Sequence, residues 1–243
     1  MTGINNKKFP LNLSKEDFTS KMIFQSDDEM KSCETYLELK GIEYHIVLAN
    51  FVGLNNRGKI EYKKVSNLYQ YDKRIRNILY KFMSAFEEGV RAFICNRYSS
   101  KIVSFQRINK GIFERVDSGS SLSRELENLE LNRLLDLALK LPLEEQLELF
   151  GNTEKLAENL DAVRELRNAV SHHRLLFVYE EFEPCFLEGI EYDTLQANVI
   201  NLYNLLNQHY KEFYKNAINQ AILDKDDKTF ANAIPKNAIL FIK

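Results

Sequence analysis

Apolar positions recur at helical spacing through most of this chain, and very little of it alternates as a strand would. Residues 1–13 read as a flexible lead. Ser26 followed by Asp27, Asp28 and Glu29 predicts a capped helix start, with Met30, Cys33, Tyr36 and Leu37 at helical spacing and Gly41 as the stop. Residues 42–54 are apolar and include His45, read as a core or boundary histidine; Asn55-Asn56-Arg57-Gly58 then predicts a turn. From Lys64 to Tyr98 a long helix is predicted, interrupted near Tyr71-Asp72, with Ile75, Leu79, Phe82, Phe86, Val90, Phe93 and Ile94 as its buried stripe. Gly89 on this helix is expected to admit a close helix neighbour.

The second half continues in the same way. Residues 99–121, with Ser99-Ser100, Gly111 and the run Asp117 to Ser121, carry loop chemistry and predict an irregular insertion. One helix is predicted over 122–141 on a leucine-rich face, broken at Pro142 and followed by a short helix from Leu143 to Phe150 that stops at Gly151. Asn152-Thr153-Glu154 restarts a helix whose core face is Leu156, Leu160, Val163, Leu166 and Val170. Residues 175–187 look extended or irregular. A last long helix is predicted from Tyr192 to about Leu223, its stripe running through Leu195, Val199, Leu202, Leu205, Leu206, Tyr210 and Phe213, with His209 beside it in a structural role. Residues 224–243 form a tail. The fold class is all-α.

Charge adds a division. The net charge is −2, unlike that of a general nucleic-acid binder, but residues 63–115 carry 12 Lys/Arg against 4 Asp/Glu and residues 122–165 carry 5 against 11. The +8 block faces RNA, pairs with the −6 block across the fold, or is, like the −6 block, a solvated face. Cys33, Cys95 and Cys185 lie far apart, which argues against a disulfide framework or a zinc site and fits a reduced, cytoplasmic setting. No apolar segment is long enough to cross a bilayer, and the start of the chain lacks the apolar region of a signal peptide. No phosphate loop, GxSxG elbow or metal-ligand spacing is present, so neither cofactor nor metal is expected.

One strip concentrates chemistry: Glu165-Leu166-Arg167-Asn168-Ala169-Val170-Ser171-His172-His173-Arg174-Leu175. Cleaving RNA without a metal needs a base for the 2′-OH, an acid for the leaving 5′ oxygen and a cation for the phosphorane. His172 and His173 suit the proton transfers, Arg167 the charge, and Asn168 can donate to phosphate. On a regular helix five residues turn about 500°, leaving Arg167 and His172 roughly 140° apart. Aligning them needs a helix that distorts or ends near His172, an arginine that reaches around, or a second copy of the chain. The same residue types equally suit a helix end whose arginine and histidine serve as solvated or capping groups.

Arg167-Asn168-x-x-Ser171-His172-His173 followed by Arg174-Leu175 resembles the signature of the bacterial Abi-like abortive-infection proteins (the AbiD/AbiF group), a branch of the HEPN superfamily. Val65 to Arg76 is similar to that family's "V..LY.(F/Y)D..(L/I)R" element, and Phe86 to Arg91 to its "(I/F)E…R" element, in the same order. The chain departs from the family in having Val170-Ser171 before the histidine pair and no Trp. The resemblance implies a HEPN-type helical bundle with additional helices at both termini. It would be a single domain over 1–243: an N-terminal extension at 1–60, a helical core at 61–223 with the insertion at 99–121, and a tail at 224–243. It further implies a metal-independent endoribonuclease acting as a toxin or abortive-infection effector in phage defence. Arg167, His172, Asn168 and His173 would be catalytic, Glu87 and Arg91 would support them, and a homodimer would complete the site. A small regulatory RNA or antitoxin is an expected partner. Arg97, Lys101, Arg107, Lys110 and Arg174 are the candidate RNA-binding side chains; Glu87 and Arg91, four apart in favourable order, are also explained by a plain surface ion pair. The alternative function is a catalytically silent module of the same fold that binds RNA or a protein partner.

Overall fold

The computed structural model describes residues 9–54 and 58–243 and is all-α, with two small two-stranded sheets. Asn55, Asn56 and Arg57 of the expected turn, and residues 1–8 of the expected lead, lie outside the described residues. The chain divides into two compact units.

Among the described residues, the first unit comprises 9–54, 58–76, 175–179 and 219–240. It contains α1 (Lys15–Ser20), β1 (Met22–Ile23), α2 (Asp27–Lys40), α3 (Ile42–Val52), β2 (Ile60–Glu61) and the start of α4 (Tyr62–Tyr98). α2 begins where its sequence requires: the Ser26 hydroxyl accepts the Glu29 amide at 3.2 Å, and the Glu29 carboxylate accepts the Gln25 amide at 2.5 Å. Gly41, at φ +82°, ends it. The apolar stretch after Gly41 forms α3, and β1 and β2 pair in parallel. Phe9 is not a loose lead, because its backbone amide and carbonyl both bond the Asn50 side-chain amide and its ring is buried.

α4 is continuous, with no break at Tyr71-Asp72. One turn of it ties the unit together. The Tyr71 hydroxyl accepts the Leu240 amide at 3.0 Å, and its ring stacks on Phe177 at 5.2 Å. Asp72 is fully buried; it accepts from Arg76 Nε at 2.7 Å and from the Leu176 amide at 2.6 Å. Burial pushes the Asp72 carboxyl up, while Arg76 and the amides of Leu176 and Phe177 oppose that shift. Arg74 bonds the carbonyls of Ala221 and Leu223, pairs with Asp224, and lies 4.2 Å over the Phe230 ring.

The second unit comprises residues 77–174, 180–218 and 241–243. It holds the rest of α4 and then α5 (Ile102–Phe105), α6 (Lys110–Asp117), α7 (Leu122–Glu127), α8 (Leu131–Ala138), α9 (Leu143–Phe150) and α10 (Leu156–Ser171). The hairpin of β3 (Cys185–Leu187) and β4 (Ile190–Tyr192) follows, then α11 (Leu195–Leu205) and α12 (Gln208–Gln220), whose last two residues count with the first unit. Ala162, Cys185, Ala197 and Leu187 pack where α10, β3 and α11 meet. Asn159 exchanges two hydrogen bonds with the Phe186 backbone, and the Asn201 amide donates to the Asn159 carbonyl at 2.8 Å.

Several expected boundaries shift for local reasons. Residues 99–121 are not irregular: α5 and α6 form there, and the Asn109 side chain caps α6 by accepting the Ile112 amide at 3.0 Å. The helix expected over 122–141 is two, since Arg91 draws the carbonyls of Leu126 and Leu129. The last long helix breaks at Leu206-Asn207, where the Asn207 side chain takes the His209 amide. Phe93 is only partly buried, and His209 and Phe213 are exposed and packed edge-on to each other rather than inside the stripe. Within 175–187 a 3-10 turn, Leu176–Val178, precedes β3. α10 starts at Leu156, behind Lys155 at φ +51°. Gly89 meets open space where a Cβ would stand, not a close neighbour.

Two expectations follow. Asp72→Ala leaves a buried arginine and a buried amide without a partner, so urea denaturation should show a loss of about 3–5 kcal/mol; a loss below about 0.5 kcal/mol would rule out a central role for this contact. His45 is buried with Nδ1 bonded to the Gly41 carbonyl at 3.0 Å, and burial holds its pKa below the ordinary 6.5 despite that bond. A folded pKa below the unfolded one contributes stability above pH 6.5 that declines on acidification. The denaturation midpoint should therefore fall from pH 6.5 to 5 more steeply in the wild type than in His45→Gln.

Candidate functional site

The strip occupies the last turns of α10 and the residues beyond. Leu160, Val163, Leu166, Ala169 and Val170 are buried and fix the helix against its unit. The helix runs to Ser171 and ends at His172, whose amide donates to the Asn168 carbonyl at 2.9 Å and whose dihedrals, φ −84° and ψ 8°, keep it close to the helical path. His173 then turns left-handed at φ +55°. Its amide reaches the Val170 carbonyl at 3.1 Å, and the Arg174 amide reaches Ala169 at 3.0 Å. This double closure is a Schellman turn, where glycine is the usual occupant of the left-handed position. A histidine there costs roughly 1 kcal/mol relative to glycine.

Arg167, His172 and His173 are exposed, and Asn168 is half-buried. Among the described residues no hydrogen bond or ion pair engages the side chains of these four. Glu165 and Arg164 lie on the same helix. Arg164 pairs with Asp136 and Asp161 at 2.5 Å each and is taken out of play. Because the helix is regular up to Ser171, the angular offset of about 140° between Arg167 and His172 remains.

The expected supporting pair is made, but not toward the strip. Arg91 Nη2 donates to Glu87 at 2.5 Å and to the Leu129 carbonyl at 2.9 Å, and its Nε donates to the Leu126 carbonyl at 3.0 Å. The four-residue spacing lets Glu87 reach an arginine of its own helix, and neither residue is bonded to Arg167 among the described residues.

The candidate RNA-binding side chains divide in two. Lys101 and Arg107 flank α5, exposed and without a carboxylate partner among the described residues. Arg97 is held by Glu145 at 3.1 Å and Glu148 at 3.0 Å, and Lys110 by Glu114 at 3.6 Å. Arg174 lies 3.8 Å from Glu165 and 3.5 Å from Glu181. Arg115 pairs with Glu125 at 2.5 Å, so part of the basic block does meet the acidic one.

Asp72 and Arg76 are the acid and the final arginine of the Val65–Arg76 element, but sequence reasoning gave them no role as a buried pair. Their signal was present: an acid and an arginine four apart share one face of a helix whose Val65, Leu68, Ile75 and Leu79 are buried. Among the described residues no group of three or more His, Cys, Asp or Glu is gathered as metal ligands, and no helix is long and apolar enough to cross a membrane. No protein-family model, no curated protein and no solved structure matches the chain.

The left-handed His173 yields a stability expectation. His173→Gly should raise the stability by up to about 1 kcal/mol in urea denaturation, because glycine adopts that conformation without a steric penalty. An unchanged or lowered stability would mean that the imidazole makes a compensating interaction.

Proposed function

We propose that this chain is a metal-independent endoribonuclease of the HEPN type, acting as an Abi-like toxin or abortive-infection effector. The observation that carries this reading is the state of the strip. Arg167, His172 and His173 stand exposed at a helix end with no protein partner among the described residues, although carboxylates engage many of the other basic side chains. Unpartnered groups of these types are what a scissile phosphate requires. One imidazole takes the 2′-OH proton, the oxygen attacks phosphorus, and the 5′ oxygen leaves with a proton from an imidazolium. Arg167 stabilises the phosphorane charge, and Asn168 orients it. The products are a 2′,3′-cyclic phosphate and a 5′-OH.

The offset between Arg167 and His172 favours completion of each site by a second copy, hence a homodimer. Lys101 and Arg107 are the cations best suited to draw in RNA. A partner that restrains the activity, either a small RNA or an antitoxin, belongs to the same reading.

A second reading is a silent module that binds a partner through this face. It is favoured by the neutralisation of Arg97, Lys110 and Arg174, which leaves fewer free cations for RNA.

Arg167→Ala and His172→Ala should each lower RNA cleavage by about 100-fold or more, with the fold retained by circular dichroism. Cleavage by the wild type should persist in EDTA and yield cyclic-phosphate ends. Mixing the two variants should restore part of the activity if sites are shared between copies. Equal cleavage, or equal absence of it, in folded wild type and variants would favour the binding module.

A further inference from the structure

The first unit contains a cleft of about 140 Å³ between α2, α3 and α4 that the ribonuclease chemistry does not use. Its inner wall is His45, Tyr62 and Val65, all buried. The His45 and Tyr62 rings lie within 9° of parallel, their centroids 6.4 Å apart. The rim is polar: Tyr36, Lys40, Ser66, Tyr69, Gln70 and Lys73. None of the described residues lining the cleft is acidic.

Charge pairing along α4 makes this cleft unusual within its unit. Five basic side chains lie on the part of α4 that belongs to the unit. Lys63 pairs with Asp227, Lys64 with Glu61, Arg74 with Asp224 and Arg76 with Asp72. Lys73 alone of the five has no such partner among the described residues, and it is the one that lines the cleft. Lys40, across from it on α2, is likewise without a carboxylate. The remaining rim groups (the hydroxyls of Tyr36, Ser66 and Tyr69 and the Gln70 amide) make no hydrogen bond among the described residues. Only the wall is satisfied internally: His45 Nδ1 bonds the Gly41 carbonyl and Tyr62 bonds Cys33.

Two ammonium groups without carboxylates, four unused hydroxyl or amide donors and an aromatic wall select for a particular ligand. The cations and donors match a phosphate dianion, and the wall offers an apolar face to whatever the phosphate is attached to. We propose that this cleft is a binding site for a phosphate-bearing small molecule, whose phosphate meets Lys40 and Lys73 and whose organic part lies against Tyr62 and Tyr36. The site is independent of the strip, and its occupancy can be measured whether or not the chain cleaves RNA.

Isothermal titration calorimetry on the full chain, at constant ionic strength in chloride, tests it with three probes: inorganic phosphate, adenosine 5′-monophosphate and adenosine. Saturable binding of phosphate or of the monophosphate is expected, with adenosine weaker by about tenfold or more. Tighter binding of the monophosphate than of phosphate assigns the site to a phosphate ester; equal affinity assigns it to free phosphate. Lys40→Gln and Lys73→Gln lie at exposed positions, so both variants should keep the fold. Each should weaken binding by about fivefold to tenfold, and the double variant should abolish it. The proposal is overturned if the double variant binds like the wild type, if adenosine binds as well as its monophosphate, or if no probe gives saturable heat up to about 10 mM.

Discussion

The first unit depends on a carboxylate that could not be buried alone. Asp72 has no exposed surface, and an isolated charge there would cost far more than folding could supply. It is tolerated because Arg76 meets it from the next turn and the amides at 176 and 177 meet it from another part of the chain. Each partner is weak alone, and the set is satisfied only when all are present. The same turn of α4 carries Tyr71, bonded to Leu240, and Arg74, bonded to the backbone at 221 and 223. Three distant stretches of sequence are thereby brought to six residues, so the unit is assembled by specific polar contacts as much as by apolar burial.

The second unit solves a different problem. α10 is held by a plain apolar face, and its polar face is free to carry chemistry. The asparagines at 159 and 201 tie the hairpin and α11 to it through backbone groups, and Asn198 ties α11 to the Glu183 carbonyl ahead of the hairpin, as suits a place where apolar packing alone would leave carbonyls and amides unpaired. A helix closed by a double hydrogen bond gives the strip a defined end, while the side chains of Arg167, His172 and His173 have no partner among the described residues. Rigid backbone beneath unpartnered side chains is a physical basis for reading the strip as a site rather than a cap.

Where the sequence was legible, local and global signals agreed. α2 has its serine cap, acidic first turn and terminal glycine, and α10 its unbroken apolar face. The errors arose where a tertiary contact overrode the local pattern. Leucines at helical spacing run straight through 122–141, and only Arg91, 35 residues from Leu126, reveals why the helix breaks there. Asn207 interrupts an apolar stripe with a single side-chain bond. α5 and α6 are too short for periodicity to register. The strip's residue types were legible for the same reason that its geometry was not: type is local, whereas the pairing of Arg97 with Glu145 and Glu148 depends on where the fold carries α9.

The two imidazoles of the strip are not equivalent, and the backbone makes the difference. His172 retains nearly helical dihedrals, so it stays about 140° around the axis from Arg167. His173 sits in the left-handed turn, and its side chain leaves the helical path in a direction that no residue within the helix could take. Strain of this kind persists where the surroundings over-determine it, and here two backbone hydrogen bonds do so. In the proposed ribonuclease, the offset of His172 from Arg167 is the reason to look for an arginine from a second copy beside His172. Under the proposed function, the role of each histidine and the number of chains needed for a complete site are linked through the same half-turn of backbone.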